Sequence, residues 1–124
     1  MQQTDCIFCK IVQKKISAEI IYEDDEILAF KDAFPIAPVH ILIIPKNHFS
    51  TVNEWKEKDI PLAGKIVWIA QRIANDLQIS AKGYKLIFRV GRDGGQEVPH
   101  IHLHLIGGAK LMEDIYPQKE INKN

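Results

Sequence analysis

Residues 59–77 hold the one pattern in this chain that calls for a long helix. Leu62, Ile66, Ile69, Ile73 and Leu77 recur three or four positions apart and form an apolar stripe along one side. Asp59 stands where an N-cap belongs, Pro61 is tolerated in a first turn, and Gly83 lies beyond the end. The other apolar runs are short and read as strands. Residues 20–23 and 27–30 flank the acidic turn Asp24-Asp25-Glu26, which predicts a hairpin. Residues 40–44 form a third strand closed by Pro45, residues 84–90 a fourth and residues 100–106 a fifth. Pro35 and Pro38 make residues 33–39 an irregular loop. Residues 6–14 place Ile7, Phe8, Ile11 and Val12 at helical spacing, a short helix. Strands joined by turns, with one long and one short helix, predict an antiparallel α+β layer fold.

A chain of 124 residues supports one core and not two. Sixteen basic residues balance sixteen acidic ones, so no net field draws the chain onto nucleic acid. Residues 1–5 lack the basic-then-apolar order of a secretory signal, and apolar runs such as residues 41–44 are far too short for a membrane span. A cytoplasmic location is expected, where a structural disulfide would be unusual. The only cysteines, Cys6 and Cys9, are therefore read as thiols. Residues 110–124 are mostly polar and read as a surface tail.

Function is written most densely in residues 91–106. His100, His102 and His104 alternate with Ile101, Leu103 and Leu105. Side chains two apart on a strand share a face, about 6.5–7 Å from one another. The imidazoles would then project together while the apolar partners anchor the strand. Three histidines out of five in this pattern argue against simple solvation, although a metal site is a rival use for them. The preceding Gly91-Arg92-Asp93-Gly94-Gly95-Gln96-Glu97 supplies glycines that let backbone N–H groups approach an anion. A phosphate loop joined to neutral imidazoles points to phosphoryl or nucleotidyl transfer.

Residues 94–106, Gly-Gly-Gln-Glu-Val-Pro-His-Ile-His-Leu-His-Leu-Ile, resemble the signature of the histidine-triad (HIT) family. Residues 20–25, 29–32 and 38–46 resemble that family's Hint branch, in the same order and spacing, so the likeness runs from about Cys6 to Gly108. It implies a HIT domain over residues 1–110 with a tail over 111–124. It further implies a five-stranded antiparallel sheet that continues across a homodimer. The implied activity is hydrolysis of a nucleoside 5′-phosphoramidate or an acyl or aminoacyl adenylate, releasing a purine nucleoside monophosphate with no catalytic cofactor. By the same resemblance His102 is the nucleophile, His104 contacts the phosphate, and His40 and His100 steady the cluster. Asp32 would bind the ribose, and Ile7, Phe8, Ile11 and Phe30 would hold the base. Gln96 and the backbone of Glu97 and Val98 would hold the phosphate. Read without the resemblance, the four apolar residues serve equally well as core and Asp32 as a turn residue.

Two positions depart from the branch. Arg89 stands where relatives commonly carry an asparagine near the ribose and leaving group; a cation there either recognises a further phosphate or carboxylate or points to solvent. Residues 111–116 lack the tryptophan-containing end of some relatives. The alternatives are a dinucleoside polyphosphate hydrolase, which Arg89 would suit, and a non-catalytic purine-nucleotide sensor or adaptor.

Cys6 and Cys9 have the two-residue spacing of a zinc half-site, and His48 and His100 can supply two nitrogens. Some bacterial members of the family place a structural zinc at these positions, so a closed four-ligand site is expected. A pair of helix-face thiols or a reversible redox pair are the other uses of such cysteines.

Overall fold

The computed structural model describes residues 5–113 and 115–119. Helix α1 (Ile7–Val12) leads into strands β1 (Ile20–Glu23), β2 (Ile27–Lys31) and β3 (Val39–Pro45). Two short 3-10 turns, Val52–Glu54 and Glu57–Asp59, precede helix α2 (Ile60–Asp76), and strands β4 (Tyr84–Phe88) and β5 (Leu103–Gly107) follow. The five strands form one antiparallel sheet in the order β1-β2-β3-β5-β4. This is the α+β architecture expected from the sequence.

The first hairpin is tied by Asp24. One of its oxygens accepts from the backbone N–H groups of Glu26 and Ile27, and the other accepts from the Tyr22 hydroxyl. Strand β3 is buried along nearly its whole length because both of its faces are covered. On one face Ile27, Ala29, Ile41, Ile43, Leu103 and Leu105 pack against Ile66, Ile69, Ala70, Ile73 and Ala74 of α2. On the other, Leu28, Phe30, Leu42 and Ile44 pack against Phe8, Cys9 and Ile11 of α1. The register Phe30↔Leu42↔His104 puts His104 on that second face.

Several boundaries differ from the sequence expectation, each for a local reason. Helix α1 stops at Val12, two residues early, and Lys14 follows in the left-handed region at φ 63°. Asp59 does not cap α2; its Oδ2 accepts from the Lys56 N–H at 2.9 Å and closes the preceding 3-10 turn instead. Leu77 falls beyond α2 and is 40% exposed, and Ala70 and Ala74 complete the buried stripe in its place.

Strand β5 begins at Leu103 rather than His100. Continued two residues further, its ladder would set Ile101 opposite Pro45, which has no N–H to offer. The Ile101 N–H donates instead to the Phe49 carbonyl at 2.8 Å. His100 thus ends a bend over residues 98–100, His102 lies on the lead-in that follows, and only His104 belongs to the strand. Strand β4 likewise ends at Phe88, short of the expected Val90. In the tail, Met112, Ile115 and Tyr116 are exposed, and the Met112 carbonyl accepts from Lys85 Nζ. Residues 114 and 120–124 of the expected tail, and residues 1–4 of the N-terminus, lie outside the described residues.

Candidate active site

The histidines gather beneath α1, and their hydrogen bonds fix which nitrogen carries each proton. His102 Nδ1 donates to the His100 carbonyl at 2.7 Å. The lone pair of His102 is thereby left on Nε2. The Ile36 N–H donates to His40 Nδ1 at 3.3 Å, so the His40 proton is on Nε2, which donates to His104 Nδ1 at 2.9 Å. His104 in turn carries its proton on Nε2, a buried atom that has no hydrogen-bond partner among the described residues. The chain from Ile36 through His40 to His104 ends in an N–H held out for a partner from outside the protein. Beside it, the His102 and His104 ring centroids lie 4.9 Å apart.

Burial holds these imidazoles neutral. It lowers His40 and His102 below the ordinary 6.5, and it lowers His104 to about 4 with help from its histidine neighbours and the Arg89 charge. Asp32, His40 and His104 bring ligand atoms within 4.8 Å of one another, close enough for a metal. The Ile36 N–H argues against that use, since it occupies His40 Nδ1 and keeps the proton on the nitrogen facing the cluster.

Asp32 Oδ2 lies 3.5 Å from His40 Nε2, and its Oδ1 accepts from the Phe34 N–H at 2.8 Å. The carboxylate is therefore both a turn residue and a neighbour of the histidines. Phe8, Ile11 and Phe30 are buried, while Ile7 is 47% exposed at the rim. The Phe8 ring meets Phe30 edge-on at 5.5 Å and His102 at 5.2 Å, so α1 sets the roof over the His102 imidazole.

The glycine loop folds back on the end of β4. A Cβ on Gly94 would come within 2.5 Å of the Val90 carbonyl oxygen, so only glycine fits there, and Gly95 takes φ 79°. Gln96 is the loop's staple. Its Oε1 accepts from the Gly91 N–H, and its Nε2 donates to the Ser50 carbonyl at 2.6 Å and the Val98 carbonyl at 3.0 Å. Both amide hydrogens are taken, so the side chain expected to reach phosphate shapes the loop instead. The backbone N–H groups of Glu97 and Val98 keep no protein acceptor among the described residues.

Cys6, Cys9, His48 and His100 converge on one point, with all four ligand atoms within 4.8 Å of one another. Neither cysteine is disulfide-bonded. Cys6 Sγ lies 3.4 Å from His100 Nδ1, Cys9 Sγ 3.4 Å from His48 Nδ1, and Cys9 Sγ 3.6 Å from His100 Nδ1. A tetrahedral zinc with bonds of ~2.3 Å to sulfur and ~2.0 Å to nitrogen separates those ligands by about 3.5 Å. His100 Nε2 donates to the Pro45 carbonyl at 2.8 Å, which leaves the Nδ1 lone pair turned toward the thiols. Burial lowers His100 to about 4, so it is neutral as a ligand must be. These residues fit the ion.

Reading the sequence alone missed the backbone groups that set the tautomers. The Ile36 N–H and the carbonyls of Pro45, Phe49 and Ser50 come from loops without a motif. Pro45, at the end of an apolar strand, was the one available signal.

The HIT domain family model matches residues 13–111. The match begins after α1, so both cysteines lie outside it. The chain is 44% identical to a purine nucleoside phosphoramidase of Escherichia coli (strain K12) over 107 residues, covering 86% of this chain and 90% of that one. A HIT family hydrolase from Legionella pneumophila Philadelphia 1 superposes with a TM-score of 0.85 at 47% identity, over 87% of this chain and 96% of the other. A histidine triad protein from Clostridium difficile gives a TM-score of 0.89 at 39% identity, over 92% and 99%.

Proposed function

The chain belongs to the HIT domain family, and on that premise we propose that this HIT-type nucleotide hydrolase cleaves purine nucleoside 5′-phosphoramidates or acyl or aminoacyl adenylates. One observation carries the reading: His102 presents a neutral Nε2 lone pair beside the unpartnered Nε2–H of His104. A nucleophile and a proton donor stand side by side with their tautomers already set.

In this reading His102 Nε2 attacks the α-phosphorus. The bond from phosphorus to the leaving nitrogen or oxygen breaks, and His104 Nε2–H supplies a hydrogen bond or proton to that side. The nucleotidyl-histidine is then cleaved by water, which returns the imidazole and releases the nucleoside monophosphate. His40 holds the His104 tautomer, and His100 holds that of His102 through its carbonyl. Asp32 accepts from the ribose hydroxyls, and Ile7, Phe8, Ile11 and Phe30 form the apolar wall for the base. The N–H groups of Glu97 and Val98 receive the phosphate oxygens, on a loop that Gln96 staples.

Cys6, Cys9, His48 and His100 would hold a structural zinc, a closed shell that steadies α1 and leaves no position for substrate. The reduced thiols suit a cytoplasmic setting. Among the described residues no helix is long and apolar enough to cross a membrane. The balanced charge favours no nucleic-acid partner. Strand β4 is a sheet edge, and the half-exposed Val67 lies on α2; we assign this side to a homodimer in which the two sheets continue. The domain would span residues 1–110, with residues 111–124 a tail.

The test is rapid quenching of the enzyme with adenosine 5′-phosphoramidate, followed by peptide mass analysis. A nucleotidyl adduct on the peptide containing His102 is the expected result. Turnover with no adduct at any time point would overturn the covalent route, and absence of turnover would overturn the hydrolase reading.

A further inference from the structure

Arg89 lies one residue past β4, and the strand register says where it points. Phe88 pairs with Leu103, and one more step sets Arg89 opposite His102. Phe88 packs with the α2-side core and against Trp55, so the next side chain turns to the other face, where the histidines are. A Cβ on Gly95 would lie 3.5 Å from Arg89 Nη1, which places the guanidinium against the glycine loop. Its charge is felt at His40, His102 and His104 alike.

The residue is half-buried, and among the described residues it makes no ion pair. A partly desolvated cation beside a nucleophile is a costly arrangement unless an anion arrives with the substrate. Sheet order says which part of the substrate that is. Phe30 and Asp32 are on or just past β2, His40 on β3, His102 and His104 on or just before β5, and Arg89 past β4. A substrate with its nucleoside over β2 and its α-phosphate at the β5 histidines carries its remaining portion over β4.

We propose that Arg89 is a specificity residue that receives an anionic group, carboxylate or phosphate, borne by the leaving group. This rests on the reading above for the nucleoside and α-phosphate and adds the chemistry of what departs. Guanidinium matches either anion bidentately, which an asparagine at the same position could not do.

The test compares kcat/KM for three substrates: an adenosine phosphoramidate of a neutral amine, a matched one whose amine bears a carboxylate, and a diadenosine polyphosphate. Wild type, Arg89→Gln and Arg89→Lys are assayed side by side. Removing the charge also changes the histidines' surroundings, but that effect is common to all substrates and cancels in a ratio. The expected result is a wild-type preference for an anionic leaving group that falls about 10- to 100-fold in Arg89→Gln, the range for a lost charge-assisted hydrogen bond. Arg89→Lys should retain part of it. Whichever anionic substrate shows the larger ratio identifies carboxylate or phosphate as the source.

An unchanged ratio overturns the proposal, whether Arg89→Gln slows all substrates equally or none. If wild type cleaves no substrate, the hydrolase reading falls and binding alone decides. The α,β-methylene analogue of ADP should then bind wild type more tightly than AMP, and Arg89→Gln should lose that difference. Equal affinities in wild type would overturn the proposal.

Discussion

The two faces of the sheet are built from the same strands and do opposite things. Beneath α2 the buried residues of the cluster are all aliphatic, with aromatic side chains only among the partly buried ones around it. Beneath α1 the layer contains the imidazoles of His40, His100, His102 and His104 and two thiols, and it is covered by a helix of six residues in place of seventeen. The α2 face supplies burial of about 1.5–3 kcal/mol per large side chain. That burial offsets the desolvated polar groups the α1 face must carry. Strand β3 shows the division in alternate residues: Ile41 and Ile43 face α2, while His40 and Leu42 face the site.

The comparison breaks most visibly if substitutions on the two faces have interchangeable effects. His102→Ala should reduce turnover of an adenosine phosphoramidate by at least about a thousandfold and leave nucleotide binding in place. Its midpoint in urea should stay close to wild type. Ile43→Ala, fully buried on the α2 side, should do the reverse. It should cost about 2–5 kcal/mol in urea unfolding while kcat per folded molecule is retained. A loss of kcat in Ile43→Ala comparable to that in His102→Ala would erase the distinction.

Metal removal sharpens it further. Purified protein should contain close to one zinc per chain, and less than a tenth of an equivalent would count heavily against the site. Chelation, or Cys9→Ser, should lower Tm and weaken AMP binding together, because the same helix carries the thiols and the base wall. A drop in Tm with unchanged AMP affinity would separate the two.

Acid should find the α1 face first. His104 titrates near 4 in the folded protein against 6.5 unfolded, mainly through burial. The unfolded chain therefore takes up protons first, so stability present above pH 6.5 is lost progressively as pH falls toward about 4. Urea unfolding across that range measures it, and a flat profile would contradict the buried neutral histidines. The smallest effect is kinetic. Burial lowers the pKa of His102, the proposed nucleophile, so kcat/KM should hold through pH 6.5 and decline only below it. A midpoint at or above 6.5 would contradict an imidazole lowered by burial.

The long helix, the hairpin and the histidine cluster were all legible in the sequence because each is a periodic or local signal. Ile66, Ile69 and Ile73 mark α2 by spacing alone, and Cys6 and Cys9, two residues apart, signal a half-site that His48 and His100 complete in space. What escaped was set by partners far away in the chain. Nothing local to His100 says that its strand will start three residues later; the Ile101 N–H is taken by the Phe49 carbonyl, from a distant part of the chain. Asp59 looked like a cap, but its carboxylate turns back to the Lys56 N–H three residues earlier. Gln96 looked like a phosphate ligand, and only the positions of the Ser50 and Val98 carbonyls turn it into a staple.

Helix α1 has a consequence of its own. A helix of six residues is far below the ~12–15 at which a helix begins to stand alone, so its position is set by what its side chains touch. Cys9 and Phe8 are neighbours on it, one turned to His48 and His100, the other to His102 and Phe30. An ion held by that cluster and a nucleotide held by the proposed base wall would therefore share a thermodynamic cycle. Whatever factor bound metal adds to the affinity for AMP, bound AMP must add to the affinity for metal. A cell rich in nucleotide would hold the ion in this protein longer than a cell depleted of it, with no change in total zinc.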